Sequence, residues 1–317
     1  MLFLTESDVC DLLPMPRAIS LMKEVFTALA DGKSLNQPRR RLSVASGAIL
    51  HQLAGAHGKY FGAKIYSTHP KHGAWFLVLL YESETGRPRA LIEANHLGRI
   101  RTGAVTGLAT SLLAKPDARV LGVIGAGFQA EAQVEAVLAV RPIERVRVWS
   151  RKEENRTRFA DVCARRFSVQ ATAVDTARMA VADADIIVTA TYARTPVLEA
   201  NWVAPGTHIN AVGSNHPQRR ELSPEILDRA ELIVVDSVEQ AKIEAGDLLL
   251  WKGQEFATAP AVAELASLVK SPRPKGADAV TVFKSVGLGV EDVAAGEWVY
   301  EEALRLGKGI PLPVFQS

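Results

Sequence analysis

At 317 residues the chain is long for a single core and suits two domains of ordinary size. Hydrophobic residues make up 48% and charged residues 23%, and 37 Lys plus Arg face 35 Asp plus Glu. That balance is globular and gives no general electrostatic reason to expect nucleic acid or an anionic membrane as a partner.

The opening MLFLTESDVCD carries too few apolar residues for a signal peptide, and no later run is long enough for a membrane span. Cys10 and Cys163 form no metal or redox spacing, no metal is expected, and a reduced cytoplasm is the expected setting. Thr5-Glu-Ser-Asp8 reads as a capping box opening a short helix. After Pro14 and Pro16, the spacing of Ile19, Met22, Val25, Phe26 and Leu29 predicts a second helix that stops at Asp31-Gly32. From 38 to 93 the runs GAILHQL, YFGAKIYS, AWFLVLLYE and RALIEA, split by turn signals, predict a largely antiparallel sheet in an α+β unit. GRIRTGAVTGLATSLLA (98–114) predicts a helix running to a boundary at Lys115-Pro116-Asp117. Beyond it, apolar strands alternate with helices, which predicts a Rossmann-type parallel sheet from about 118 to 287. A final amphipathic helix, VEDVAAGEWVYEEALRLGKG, ends on glycine.

Gly125-Ala-Gly127-Phe128-Gln129-Ala130 is a G-x-G-x-x-A turn with a strand before it and a helix after it. Gly125 permits the tight turn, Gly127 lets a pyrophosphate approach the backbone, and Ala130 lets the helix lie close on the sheet. The next strand, VRVWSRKEEN, ends in Ser150, Arg151 and Lys152 where a carboxylate would hold the free ribose of NAD. A carboxylate repels a 2′-phosphate and an arginine accommodates it, so NADP(H) is favoured over NAD. The alternative leaves Arg151 and Lys152 in solvent, with Glu153 or Glu154 reaching back to the ribose. Thr189 and Thr191, Gly213 and Ser214 with Asn215, and Asp236 lie at further strand ends expected to line the same crevice.

With these pieces in order, the chain resembles the ornithine cyclodeaminase/mu-crystallin family from about residue 5 to residue 308. The resemblance rests on QPRRR (37–41), FGAKIYS around Lys64, RTGAVTGLAT (101–110), the glycine turn, PGTHINAVGSNHPQRREL (205–222) and TVFKSVG (281–287). It implies an α/β architecture in which a Rossmann-type domain (117–289) is inserted into an α+β substrate-binding and dimerisation domain (1–116 plus 290–317). It also implies a homodimer formed through the sheet-bearing domain, and hydride exchange between a nicotinamide and the α-carbon of a small amino or imino acid. By motif position, Arg40, Lys64 and Arg101 match the clamp on the substrate carboxylate, with Arg39 and Arg41 leaving the first position open by one residue. Thr102 is expected toward the pyrophosphate, and Lys284 with Ser285 on the nicotinamide side. Leu53, Trp75, Leu77 and His216 are expected in the pocket wall.

Cyclodeaminases of that family place a catalytic Asp where this chain has Asn215. Asparagine orients a nitrogen but is no base near neutral pH, which leaves Lys64 or His216 to move protons. A further departure is Gly98, where several members carry Thr. The expectation is therefore an NADP(H)-dependent reductase of small imino, keto or amino acids, such as pyrroline-2-carboxylate to proline. The alternatives are ornithine cyclodeamination to proline and ammonia with bound NAD, and a non-catalytic protein that stores NADPH or a small ligand.

Overall fold

The computed structural model describes residues 1–273 and 275–314. The chain forms two compact units, Met1–Thr102 with Gly287–Ser317, and Gly103–Val286. The first opens with β1 (Leu2–Leu4), α1 (Glu6–Leu12) and α2 (Met15–Ala30), then β2 (Leu35–Ser43), β3 (Ile49–His57), β4 (Tyr60–His69), β5 (Gly73–Glu82) and β6 (Pro88–Glu93). Helix α3 (Asn95–Leu113) starts in the first unit and ends in the second. The second unit holds β7 (Val120–Ile124), α4 (Phe128–Val140), β8 (Arg145–Trp149), α5 (Glu153–Phe167), β9 (Gln170–Ala173), α6 (Ala177–Val181), β10 (Ile186–Thr189) and β11 (His208–Ala211). It continues through α7 (Pro224–Arg229), β12 (Leu232–Val235), α8 (Val238–Glu244), α9 (Gly246–Lys252), β13 (Val262–Glu264), α10 (Leu265–Lys270) and β14 (Thr281–Lys284). The chain then returns to the first unit with α11 (Gly289–Leu306) and β15 (Ile310–Pro311).

The units part at Thr102/Gly103, earlier than the expected Lys115-Pro116-Asp117. Residues 103–110 of α3 are buried, and Ala114 just beyond the helix packs with Ala118 and Leu121 of the second unit's core. An apolar helix face thus outweighs a Pro-containing turn in setting that limit.

In the first unit the sheet order is β15-β1-β6-β5-β4-β3-β2, antiparallel throughout except that β1 pairs β6 in parallel. Along β4 the even positions Tyr60, Gly62, Lys64 and Tyr66 are buried, the period of two that a half-covered sheet requires. Helix α11 covers that face at very short range. A Cβ on Gly55 of β3 would lie 2.6 Å from the Val290 Cα, and one on Gly289 would lie 2.6 Å from the Ala54 carbonyl oxygen. The expected capping box is present: the Asp8 amide donates to Thr5 Oγ1, and the Thr5 amide donates to Asp8 Oδ2 at 2.9 Å. Strand β2 was not among the predicted strands because Pro38 and three arginines break its alternation. It pairs with β3 through a bulge between Gln37 and Arg40.

In the second unit eight strands run parallel in the order β13-β12-β14-β11-β10-β7-β8-β9. Every residue of β7, β10, β11, β12 and β14 is buried, as a parallel sheet covered on both faces demands. The two faces carry separate cores, one around Ile187, Ile209 and Val282 and the other around Val123, Val134 and Val188. Among the described residues no helix is long and apolar enough to cross a membrane, and no three or more His, Cys, Asp or Glu side chains are grouped as metal ligands.

Candidate functional site

The first unit gathers its cations under α11. Lys64 is fully enclosed because the parity of β4 turns it toward the helix. Its ammonium lies 2.8 and 2.7 Å from the two carboxylate oxygens of Asp292. Arg101, also buried, donates from Nε to Asp292 Oδ1 at 2.8 Å and from Nη1 to Glu291 Oε2 at 2.5 Å. Both acids belong to the first turn of α11 and are completely buried. Burial, with the Arg101 charge beside it, pulls the Lys64 ammonium down to about 7, against the opposing pull of Asp292. For Arg101 burial also favours the neutral form, but Asp292 and Glu291 outweigh it and hold the guanidinium above its ordinary value.

Two expectations change here. Arg40 is exposed and pairs with Gln52 on the open side of the sheet, whereas Arg39 is buried with Nη2 3.4 Å from the Gly287 carbonyl oxygen. The bulge at Gln37/Arg40 and the strand's alternation assign the inward position to Arg39. Arg101 also lies deeper in its helix than a start at residue 98 would place it. α3 begins at Asn95, and its free amides at Asn95 and His96 are taken by the Glu6 carboxylate at 2.6 and 2.8 Å. Of the expected pocket wall, Leu53 pairs directly with Lys64 and is buried beside it. Trp75 and Leu77 oppose Ser67 and Ile65, the other parity of β4, and are exposed on the opposite face. Gly98 places the direction of its absent side chain 3.9 Å from the Lys64 ammonium. The Thr102 hydroxyl turns back on its own helix, donating to the Gly98 carbonyl at 2.6 Å.

In the second unit the glycine turn is tight and closely packed. Gly125 has φ +112°, and a Cβ there would lie 2.5 Å from the Ala190 carbonyl oxygen, so only glycine fits. Gly127 caps α4 without a side chain, and a Cβ there would meet open space at the positive end of the helix. Phe128 is exposed and Gln129 half-buried at the same end. At the end of β8, the Ser150 hydroxyl donates to the Lys152 carbonyl at 3.0 Å, and Arg151 and Lys152 project into solvent before α5. Arg156 and Asp175 frame this corner and were not singled out in the sequence. Arg156 is buried, 2.9 Å from Asp175 Oδ1 and 3.4 Å from the Ser150 carbonyl, while the Asp175 carbonyl receives Trp149 Nε1. Only the helical spacing of Arg156 from Lys152 could have pointed to it.

The loops after β10 and β11 are tied together by Glu221, another residue the sequence reading passed over. One of its carboxylate oxygens accepts from the Thr191 amide and hydroxyl, both at 2.7 Å, and the other accepts from the Gly213 amide at 2.8 Å. Thr191 and Gly213 are therefore held in place rather than left pointing into a crevice. Burial raises the Glu221 carboxyl above its ordinary range, with Lys284 pulling the other way. Lys284, expected on the nicotinamide side, has its ammonium bonded to protein groups. It is enclosed, 2.9 Å from Asp247 and donating to the Ser214 carbonyl at 2.7 Å, while Asp247 accepts the Glu221 and Leu222 amides. Thr189 is likewise inaccessible, and Ser214 is nearly so. Ser285 and the Val286 amide donate to Asp236, another buried structural acid. All of these residues end apolar strands whose neighbours cover them, which strand-end spacing alone does not reveal. Asn215 and His216 are both exposed in the loop after β11, and His216 Nδ1 accepts from the Gln218 amide at 3.2 Å.

The sequence pattern of the ornithine cyclodeaminase/mu-crystallin family matches residues 1–307. A Δ(1)-pyrroline-2-carboxylate reductase of Bacillus cereus is 40% identical over 236 residues, 74% of this chain and 72% of the relative. Among solved structures, the Δ(1)-pyrroline-2-carboxylate reductase of Thermococcus litoralis, in complex with NADH and L-proline, has a TM-score of 0.94 at 32% identity, covering 98% of this chain and 100% of that one. An archaeal alanine dehydrogenase dimer with bound NAD has a TM-score of 0.93 at 32% identity, covering 99% of each chain.

Proposed function

The chain belongs to the ornithine cyclodeaminase/mu-crystallin family, and on that premise we propose that it is an NADP(H)-dependent reductase of small imino acids, converting pyrroline-2-carboxylate to proline. The observation that carries this reading is the buried cation cluster of the first unit. Lys64, Arg101 and Arg39 bring three buried cations to one place, next to the carboxylates of Asp292 and Glu291, and so offer several charge-assisted donors that a substrate carboxylate can use. Arg39 replaces Arg40 in the clamp, since Arg39 is the buried one of the two.

A nicotinamide dinucleotide fits the second unit through Gly125, Gly127 and the amide end of α4, and when bound it supplies the hydride to the imine carbon. The chain's own residues do the rest. Arg39 and Arg101 orient the substrate carboxylate, and Lys64 Nζ donates the proton that leaves the product nitrogen as an amine, a role suited to an ammonium drawn down to about 7. Ser150, Arg151 and Lys152 support NADP(H), because no carboxylate stands at the end of β8 to repel a 2′-phosphate. Asn215 supports reduction over cyclodeamination, since an amide cannot serve as the base that ammonia release needs.

Self-association is read from the open face of the first sheet. Phe61, Leu77 and Trp75 are exposed there beside Leu35 and Leu42, an apolar surface of the kind that a second copy covers. A homodimer in the cytoplasm is the proposed working form. The reaction is tested by incubating the protein with pyrroline-2-carboxylate and NADPH and assaying L-proline. Proline formation supports the reading, and ammonia released from L-ornithine without any reduction would overturn it.

A further inference from the structure

Gly98 stands in the first turn of α3, its amide donating to the Ala94 carbonyl at 3.0 Å and its carbonyl accepting the Thr102 hydroxyl at 2.6 Å. A glycine there weakens the helix relative to alanine, because it has more backbone freedom to lose. Three circumstances ordinarily call for glycine: a left-handed backbone, another backbone pressed against it, or side chains packed tightly over it. Gly287, with φ +78°, is of the first kind, and Gly55 and Gly289 are of the second, where α11 crosses β3. Gly296 is of the third, since a Cβ there would lie 3.2 and 3.3 Å from the Val78 and Ile92 side chains. Gly98 is of none. Its backbone is ordinary helix. Apart from its chain neighbours and its own helix's backbone, one heavy atom among the described residues lies within 4 Å of a Cβ there: Lys64 Nζ, at 3.9 Å. The position is half-buried, so it is not sealed from solvent.

Elsewhere Lys64 Nζ is confined. Both carboxylate oxygens of Asp292 hold it, at 2.8 and 2.7 Å, and the Tyr66 ring centroid is 5.8 Å away. A proton passed to an imine nitrogen places that nitrogen about 3 Å from Nζ, and so the atoms bonded to it about 4 Å from Nζ. The missing Cβ of Gly98 falls in the same shell. A side chain at position 98 and a carbon on the imine nitrogen would compete for one space.

We infer that Gly98 is a specificity-determining residue, whose missing side chain makes room beside Lys64 for a carbon on the imine nitrogen. The inference rests on Lys64 being the proton donor of the proposed reduction. An imine formed from ammonia carries only hydrogen on its nitrogen and needs no such room. A ring imine or an open-chain N-alkyl imine carries carbon there and does need it. The chain is thus fitted to imino acids with a substituted nitrogen, and a methyl group at position 98 turns it toward ammonia-derived imines.

The test is calorimetric titration of the NADPH-loaded protein with L-alanine and N-methyl-L-alanine. The two differ by one carbon on the nitrogen, and neither can be reduced by NADPH. Wild type is expected to bind N-methyl-L-alanine at least as tightly as L-alanine. Gly98→Ala should move the ratio of the two affinities toward L-alanine by about tenfold, the effect of crowding a methyl group into a filled site. Its melting temperature should equal or exceed that of wild type, since helix propensity improves and no protein atom is displaced. A purely structural role for Gly98 would lower the melting temperature and weaken both ligands alike. The inference is overturned by an unchanged ratio, by a lowered melting temperature in the variant, or by a wild type that prefers L-alanine or binds neither ligand. Proline formation from pyrroline-2-carboxylate is read separately, so a chain whose ratio shifts but that makes no proline refutes the proposed reaction and not the role of Gly98.

Discussion

Arg39 and Arg40 are adjacent on β2, yet one guanidinium is buried and the other lies in solvent. If Arg39 holds the substrate carboxylate, Arg39→Ala removes a charge-assisted contact of about 1.5–3 kcal/mol and should raise KM by on the order of tenfold or more. Arg40→Ala should stay within about threefold of wild type, and initial-rate kinetics on the pair distinguishes the two. Lys64 supplies the pH dependence at this scale. As an ammonium drawn down to about 7, it is a competent proton donor below that value and loses its proton above it, so kcat/KM for reduction should fall as pH rises through about 7. A rate–pH profile flat from about 6 to about 9 would remove Lys64 as the acid. Lys64 entered the clamp through the resemblance, and its burial agrees with its apolar neighbours in FGAKIYS. The choice among three consecutive arginines was not legible in the sequence, because it depends on a bulge that one-dimensional alternation does not encode.

At the scale of elements, the turn from β8 into α5 and the loops after β10 and β11 are built differently. The first is open: Arg151 and Lys152 are exposed to solvent, where a ligand can reach them, and Arg151→Ala should lower the proposed NADPH-over-NADH preference by on the order of tenfold, measured as the ratio of kcat/KM values. The second is locked. Glu221→Gln keeps the shape but gives an acceptor-only position a donor facing the Thr191 or Gly213 amide. It should weaken NADPH binding by about fivefold to fiftyfold in a fluorescence titration, with a lower melting temperature. The β-α-β order was plain from apolar runs, and the glycine turn stood where that order put it. Lys284, Thr189 and Ser214 are more enclosed than strand-end spacing suggests, and for one reason: a polar residue at a strand end is as well suited to bracing a neighbouring loop as to meeting a ligand. Which it does depends on Glu221 and Asp247, whose bonds to these loops no local pattern encodes.

For the molecule as a whole, the polar chain buried in the second sheet links stability to pH. His208 Nδ1 is 2.9 Å from Thr281 Oγ1, its Nε2 is 3.1 Å from Asn210 Oδ1, and Asn210 Nδ2 donates to Thr110 Oγ1 at 3.0 Å. Burial drives the His208 imidazole down to about 3. Its unfolded value is near 6.5, so this contribution is complete above 6.5 and is lost progressively as pH falls toward 3. The melting temperature should therefore decline between about pH 7 and about 4.5, and less steeply in His208→Gln; equal slopes would exclude this source. Long-range pairing also explains the largest omission in reading the sequence. Glu291 and Asp292 looked like ordinary acids at a helix start, and only the return of α11 across β3 and β4 reveals them as the counter-ions of residues 190 and 228 positions away.

Substrate binding at the buried cations is the core of the proposed function. Its most direct test is NADPH oxidation with pyrroline-2-carboxylate near pH 7 for wild type, Lys64→Met and Arg101→Met, with NADPH affinity measured on each. Turnover by wild type, a loss of on the order of a hundredfold or more in kcat/KM in both variants and unchanged NADPH affinity is the predicted result. Variants that fold, bind NADPH and reduce the imine at the wild-type rate would contradict it.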